Sequence, residues 1–86
     1  MAKYDALFEH LCRAGDGPLE LTFDEVGGLV GGLPATAERL RAWWSNDPGG
    51  RNGHARAWLD AGREVVGVDL AARRVSFSAA GWRRGS

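Results

Sequence analysis

The stretch Asn52-Gly-His54-Ala-Arg56-Ala-Trp58-Leu-Asp-Ala-Gly62-Arg-Glu-Val65-Val-Gly-Val68-Asp-Leu70-Ala-Ala-Arg73-Arg74-Val75-Ser-Phe77 decides the fold. Ala55, Trp58, Leu59 and Gly62 recur at helical spacing, so the segment near residues 53–61 reads as a short amphipathic helix that leaves His54, Arg56, Ala57 and Asp60 to solvent or a ligand. Gly62 suits the left-handed position that stops a helix. Beyond it Val66, Val68 and Leu70 alternate with Val65, Gly67 and Asp69, and Val75 and Phe77 alternate with Arg74, Ser76 and Ser78. Each run is a strand with one apolar face. A helix that runs at once into a hairpin is how a winged helix-turn-helix ends, and the wing, near residues 71–75, then carries Arg73 and Arg74 near its tip.

Upstream, Tyr4, Leu7, Phe8, Leu11 and Cys12 define the inner face of a first helix, with Asp5, Glu9 and Arg13 outward. Cys12 reads as core. His10 and Cys12, two residues apart, point to different faces and do not share a metal ion. Leu19-Glu-Leu21 alternates and can supply a short third strand beside the wing. Thr22-Phe-Asp-Glu25 has the form of a capping box, opening a helix with Phe23, Val26, Leu29 and Val30 inward and Gly31-Gly32 at its end. Capping and dipole complementarity account for Asp24 and Glu25 without catalysis. Gly27 and Gly28 each lower helicity by about 1 kcal/mol relative to alanine, so packing must compensate or another backbone must come close.

Leu33-Pro34-Ala-Thr36 opens a third helical segment, with Thr36 as its cap and Ala37, Leu40 and Trp44 on one face, while Arg39 and Arg41 point elsewhere. Trp43 sits about 100° around from Trp44, so one indole is expected inside and the other at the rim. Residues 45–53 are breaker-rich and form a loop in which Asn46 caps a turn. The loop holds no P-loop or GxGxxG phosphate cradle.

These elements predict an α+β fold: a small winged helix-turn-helix-like domain of three to four helices, a C-terminal β-hairpin and the short strand near residues 19–21. The domain is expected over residues 1–78, with 79–86 a basic tail in which Trp82 can fold back on the core. Eighty-six residues suffice for a single core, since a chain this short buries only about 60% of its unfolded surface. Four tryptophans, three phenylalanines and one tyrosine can anchor it. Cys12 is the only cysteine, so no internal disulfide forms. With no charged-then-apolar leader and no apolar run near the roughly 18 residues of a membrane span, a cytoplasmic, membrane-free setting is expected.

The formal net charge of zero hides a division. Residues 1–38 carry Lys3 and Arg13 against seven carboxylates, a net of −5, and residues 39–86 carry nine arginines against four carboxylates, a net of +5. Such polarity can offer a basic face to a polyanion, although ten arginines to one lysine also reflect a GC-rich coding sequence.

Leu21-Thr-Phe-Asp-Glu25, Leu33-Pro34 followed by Ala37, Trp43-Trp44-Ser45-Asn46, Ala57-Trp58-Leu59-Asp-Ala61-Gly62, and Val68-Asp69 ahead of Val75-Ser-Phe77 together resemble a small domain that recurs in bacterial, notably actinobacterial, proteins and has no assigned function. The resemblance spans roughly residues 4–78. Where such domains often have an aromatic after the Ala-Gly pair, this chain has Arg63, a change expected to alter packing or add a charge at the start of the wing.

The expected function is double-stranded DNA binding. In a winged helix-turn-helix the helix before the hairpin enters the major groove and the wing reaches backbone or minor groove. Arg51, Asn52, His54 and Arg56 are then placed near bases, and Arg39, Arg41, Arg73 and Arg74 near phosphates. A second assignment makes the helices opening at Thr22 and Thr36 the two of the turn motif, so that Arg39 and Arg41 face bases. A homodimer is compatible with either, since one module contacts few base pairs. The alternative class is a protein-protein interaction module using an exposed Trp/Arg surface, such as Trp43 or Trp82 ringed by arginine. No enzyme, cofactor, metal or small-molecule substrate is expected: no second Cys or His stands at metal-ligand spacing, and Ser45, Asp47 and His54 share only a flexible glycine loop, whereas catalysis needs fixed geometry.

Overall fold

The computed structural model describes residues 4–47 and 54–79. In chain order these form α1 (Asp5–Arg13), β1 (Leu19–Thr22), α2 (Phe23–Val30), α3 (Ala35–Arg39), a 3-10 turn (Arg41–Trp44), α4 (Ala55–Leu59), β2 (Val65–Asp69) and β3 (Arg74–Phe77). The result is an α+β fold with four α-helices and a three-stranded antiparallel sheet of order β1-β3-β2 among the described residues. The alternation at Leu19-Glu-Leu21 does become a strand, with Leu21 opposite Val75. Residues 48–53 and the tail from residue 80, with Trp82, lie outside the described residues.

The capping box forms as the sequence predicts. The Thr22 amide donates to Glu25 Oε1 at 2.8 Å, and the Glu25 amide donates to Thr22 Oγ1 at 3.1 Å. The backbone hydrogen bond from Thr22 also holds the Glu25 carboxyl below its ordinary range. Gly62 is left-handed at φ 79, and the Arg63 amide behind it reaches the Trp58 carbonyl at 2.9 Å, which closes α4. The turn after α2 comes back over Gly27, where a Cβ would meet the Leu33 amide at 3.6 Å.

Aromatic rings join the layers. Phe23 of α2 stacks on Trp44 at 5.3 Å, Trp44 on Trp58 of α4 at 5.9 Å, and Trp58 meets Phe77 of β3 at 5.8 Å. Leu7 and Leu11 of α1, Val26 of α2 and Val75 of β3 are buried in the same core. Trp44 also donates its indole N–H to the Ala37 carbonyl at 2.8 Å, which satisfies its one polar atom inside.

The structure corrects several expectations. The third helical segment is not continuous: α3 starts on Pro34 with no side-chain cap from Thr36, and the chain extends at Leu40 (φ −120, ψ 120) before resuming as the 3-10 turn. That break shifts the angular register. Leu40 is left 54% exposed, while Trp43 and Trp44 are both buried, at 8% and 1% exposure, instead of dividing between core and rim. Cys12 is exposed, because the inner face of α1 centres on Leu7 and Leu11 and the helix ends one residue later at Arg13. Ala57, expected outside, is buried. In β2 an irregularity between Val65 and Gly67 inserts Val66 as an unpaired residue. The face alternation is reset there, so Val65 packs against the core and Val66 is 65% exposed.

Arg63 is the largest departure from the expected pattern. Of the two outcomes expected for it, altered packing or an added charge at the start of the hairpin, it takes the first: the side chain is 0% exposed. Its Nε donates to the Leu11 carbonyl at 3.2 Å, Nη1 to the carbonyls of Gly17 at 2.9 Å and Ser78 at 3.0 Å, and Nη2 to that of Gly15. Leu11 is among the last four residues of α1, whose carbonyls lack helical partners and carry the negative end of the helix dipole. One guanidinium thus ties the end of α1, the loop after it and the chain beyond β3 to the start of the hairpin.

Candidate nucleic-acid interface

Charges expected on one basic face are distributed and paired. At the hairpin tip Arg73, left-handed at φ 59, turns back onto the helices. Its carbonyl accepts from the Phe23 amide at 2.8 Å, and its guanidinium pairs with Asp24 of α2 at 3.0 Å and with Glu38 of α3. It also lies 5.9 Å from the centre of the Phe23 ring. The Asp24 hydrogen bond, then Glu38, raises the Arg73 pKa further. Arg74 pairs with Glu20 of β1 at 3.5 Å. The acidic first half therefore meets the hairpin arginines within the molecule, and the tip does not project as a pair of free cations.

On α4, Ala55, Ala57 and Trp58 are buried, which leaves Arg56 and Asp60 outward, 3.8 Å apart. Five residues with that exposed pair offer little to a groove. His54 is half-buried. Its ring stacks on Trp43 at 3.8 Å with planes 2° apart, and Tyr4 and Trp58 lie beside it at 6.0 and 5.8 Å. Because a carbonyl can only accept, the bond between His54 Nε2 and the Trp43 carbonyl puts the proton of the neutral ring on Nε2. Nδ1 is then a buried acceptor with no partner among the described residues, as is the Trp43 indole N–H a buried donor. Arg51 and Asn52 lie outside the described residues.

Burial depresses the His54 pKa below its ordinary 6.5, and the Trp43 hydrogen bond opposes that only in part. The unfolded chain therefore takes up the proton first as pH falls. The His54 contribution to stability should be complete above the unfolded value, near pH 6.5, and should decline as pH drops toward the lower folded value. Thermal melts of wild type and His54→Gln between pH 8 and pH 5 test this. The gap between their midpoints is expected to narrow on acidification, and a constant gap would remove the role.

Arg39 and Arg41 differ from the rest. Both are exposed, and neither has a carboxylate within ion-pair distance among the described residues. They flank Leu40 on a stretch where Ala35, Thr36 and Ala42 are also exposed and small. The one carboxylate on that stretch, Glu38, is bound by Arg73, so the surface it presents is cationic. The sequence does name these two arginines. What it hides is that Leu40 stands out between them and that Trp43, offered as an exposed anchor, lies inside. Among the described residues no group of His, Cys, Asp and Glu could hold a metal ion, and no helix is long and apolar enough to cross a membrane.

A family model described as a domain of unknown function (DUF7662) matches residues 4–81, and the chain belongs to that family. No curated protein and no solved structure gives a significant match.

Proposed function

We propose that this DUF7662 domain binds double-stranded DNA, and that it does so through the stretch from α3 into the 3-10 turn instead of through α4. The observation that carries the reading is the exposed Arg39 and Arg41, without an ion-pair partner among the described residues, on the segment that follows α2 across the Gly31–Pro34 turn. The element order, with β1 between α1 and α2 and a sheet ordered β1-β3-β2, supports a winged-helix arrangement. In that arrangement α2 and the segment after it are the two helices of the turn motif, and the second of them faces the major groove. Fold likeness alone does not make a DNA binder, so the weight rests on the two arginines.

Fluorescence anisotropy with a labelled mixed-sequence duplex at two salt concentrations tests it. Wild type should bind more weakly as salt rises. Arg39→Ala/Arg41→Ala should bind more weakly still, with a salt slope smaller by about 2, since each phosphate contact contributes about 0.9. Arg56→Ala, on the self-paired face of α4, should bind like wild type. Absence of binding at low salt, or a double variant that binds normally, would overturn the proposal. The second reading, a protein-interaction module, draws on the exposure of Leu40 and Val66. It requires no duplex binding and a particle size that depends on concentration.

A further inference from the structure

Resting on that reading of the α3 surface, we infer that Leu40 is a specificity-determining residue that reads the C5-methyl group of thymine. Leu40 and Val66 are the large apolar side chains left exposed among the described residues, and Leu40 is the one set between two unpaired cations. Its backbone is fixed from both sides: the amide donates to the Thr36 carbonyl at 2.9 Å, and the carbonyl accepts from the Trp43 amide at 3.1 Å. Trp43 is itself buried, so the residue is tied to the core and is not part of a loose loop. The break in the helix is therefore what presents this side chain outward.

The chemistry around Leu40 selects the occupant. A lasting protein interface buries on the order of 1,000 Å² or more, and one leucine among exposed alanines and a threonine is far from an apolar patch of that kind. A DNA groove asks for less: cations for the phosphates, small residues that let the chain approach, and an aliphatic group where a thymine methyl projects. Apolar contact with that methyl is one of the ways the major groove is read. Arg39 and Arg41 supply the complementary charge on either side.

Replacing thymidine by deoxyuridine throughout an A·T-rich duplex removes only that methyl. Wild type should bind the thymine duplex more tightly, by about fourfold for each methyl covered. Leu40→Ala should lose the preference and bind both duplexes alike, while its melting midpoint, for an exposed site, stays near that of wild type. Equal binding of both duplexes by wild type would overturn the inference and leave the DNA reading intact. Binding of neither duplex at low salt would remove the DNA reading and the inference with it.

Discussion

Arg63→Met should bring the domain to the edge of unfolding. Methionine fills much of the volume but donates nothing, and the carbonyls of Leu11, Gly15, Gly17 and Ser78 converge on the position it would occupy. Hydrogen bonds to a charged group contribute about 1.5–3 kcal/mol each. Discounted for non-additivity, the loss is on the order of 4 kcal/mol. A domain of this length has roughly 0.05–0.15 kcal/mol of stability per residue, so a large share is at stake. The thermal midpoint should fall by at least about 15 °C. Arg63→Lys should recover only a small part, because an ammonium has three donors at one point and cannot span four acceptors. An aromatic at residue 63 should be no better tolerated, since it also donates nothing to these four carbonyls. Urea and thermal unfolding followed by tryptophan fluorescence give the answer, and an Arg63→Met midpoint within a few degrees of wild type would show that the clamp is dispensable.

Arg63 also marks where the sequence stops being legible. Periodicity and capping chemistry are local, and they locate α1, α2, the hairpin and the Thr22–Glu25 box, because spacing and cap geometry depend on neighbours in the chain. The clamp joins residues that lie 52, 48, 46 and 15 positions from Arg63, and no window holds such a set. The local signal is only that a charged residue directly follows the helix-ending Gly62, and that alone does not say whether its side chain turns inward. Leu40 escapes a local reading for a related reason. A helical pattern through residues 37–44 fits Ala37, Leu40 and Trp44, but burying both Trp43 and Trp44 requires a break between them and Ala37, and tertiary packing wins over periodicity.

The segregation of charge is visible in the sequence but its use is not. Seven carboxylates before residue 39 and nine arginines from residue 39 onward could form two opposed faces. Instead the sheet brings β3 against β1, which sets Arg74 beside Glu20, and the hairpin tip reaches α2 and α3, which sets Arg73 beside Asp24 and Glu38. These pairs are exposed, so they add little to stability. Their effect is on the surface potential: by occupying Glu38, Arg73 leaves Arg39 and Arg41 as the uncompensated charges of that stretch.

Asn46→Ala should also cost much of the stability, at about 2–4 kcal/mol. Far from capping a turn, the Asn46 amide is used on both ends. Its Oδ1 accepts from the Val65 amide at 2.8 Å and from the buried Trp58 indole at 2.9 Å, and its Nδ2 donates to the Val65 carbonyl at 3.0 Å. The side chain thus pairs with the outer edge of β2 as a neighbouring strand would, and it satisfies the polar atom of a core tryptophan. Alanine leaves three groups without partners and opens a strand edge to other chains, so the variant should melt earlier and aggregate more readily. Asn46→Asp separates the two halves of the role. A carboxylate keeps both acceptor bonds but sets an oxygen against the Val65 carbonyl, whereas a protonated carboxyl can donate there. That group is more easily protonated folded than unfolded, so the deficit of Asn46→Asp relative to wild type should shrink as pH falls through its raised folded pKa. The Trp58 indole N–H, followed by hydrogen exchange, should remain protected in Asn46→Asp and lose protection in Asn46→Ala. Equal protection in both would mean that packing alone holds Trp58 and that the Asn46 bonds are incidental.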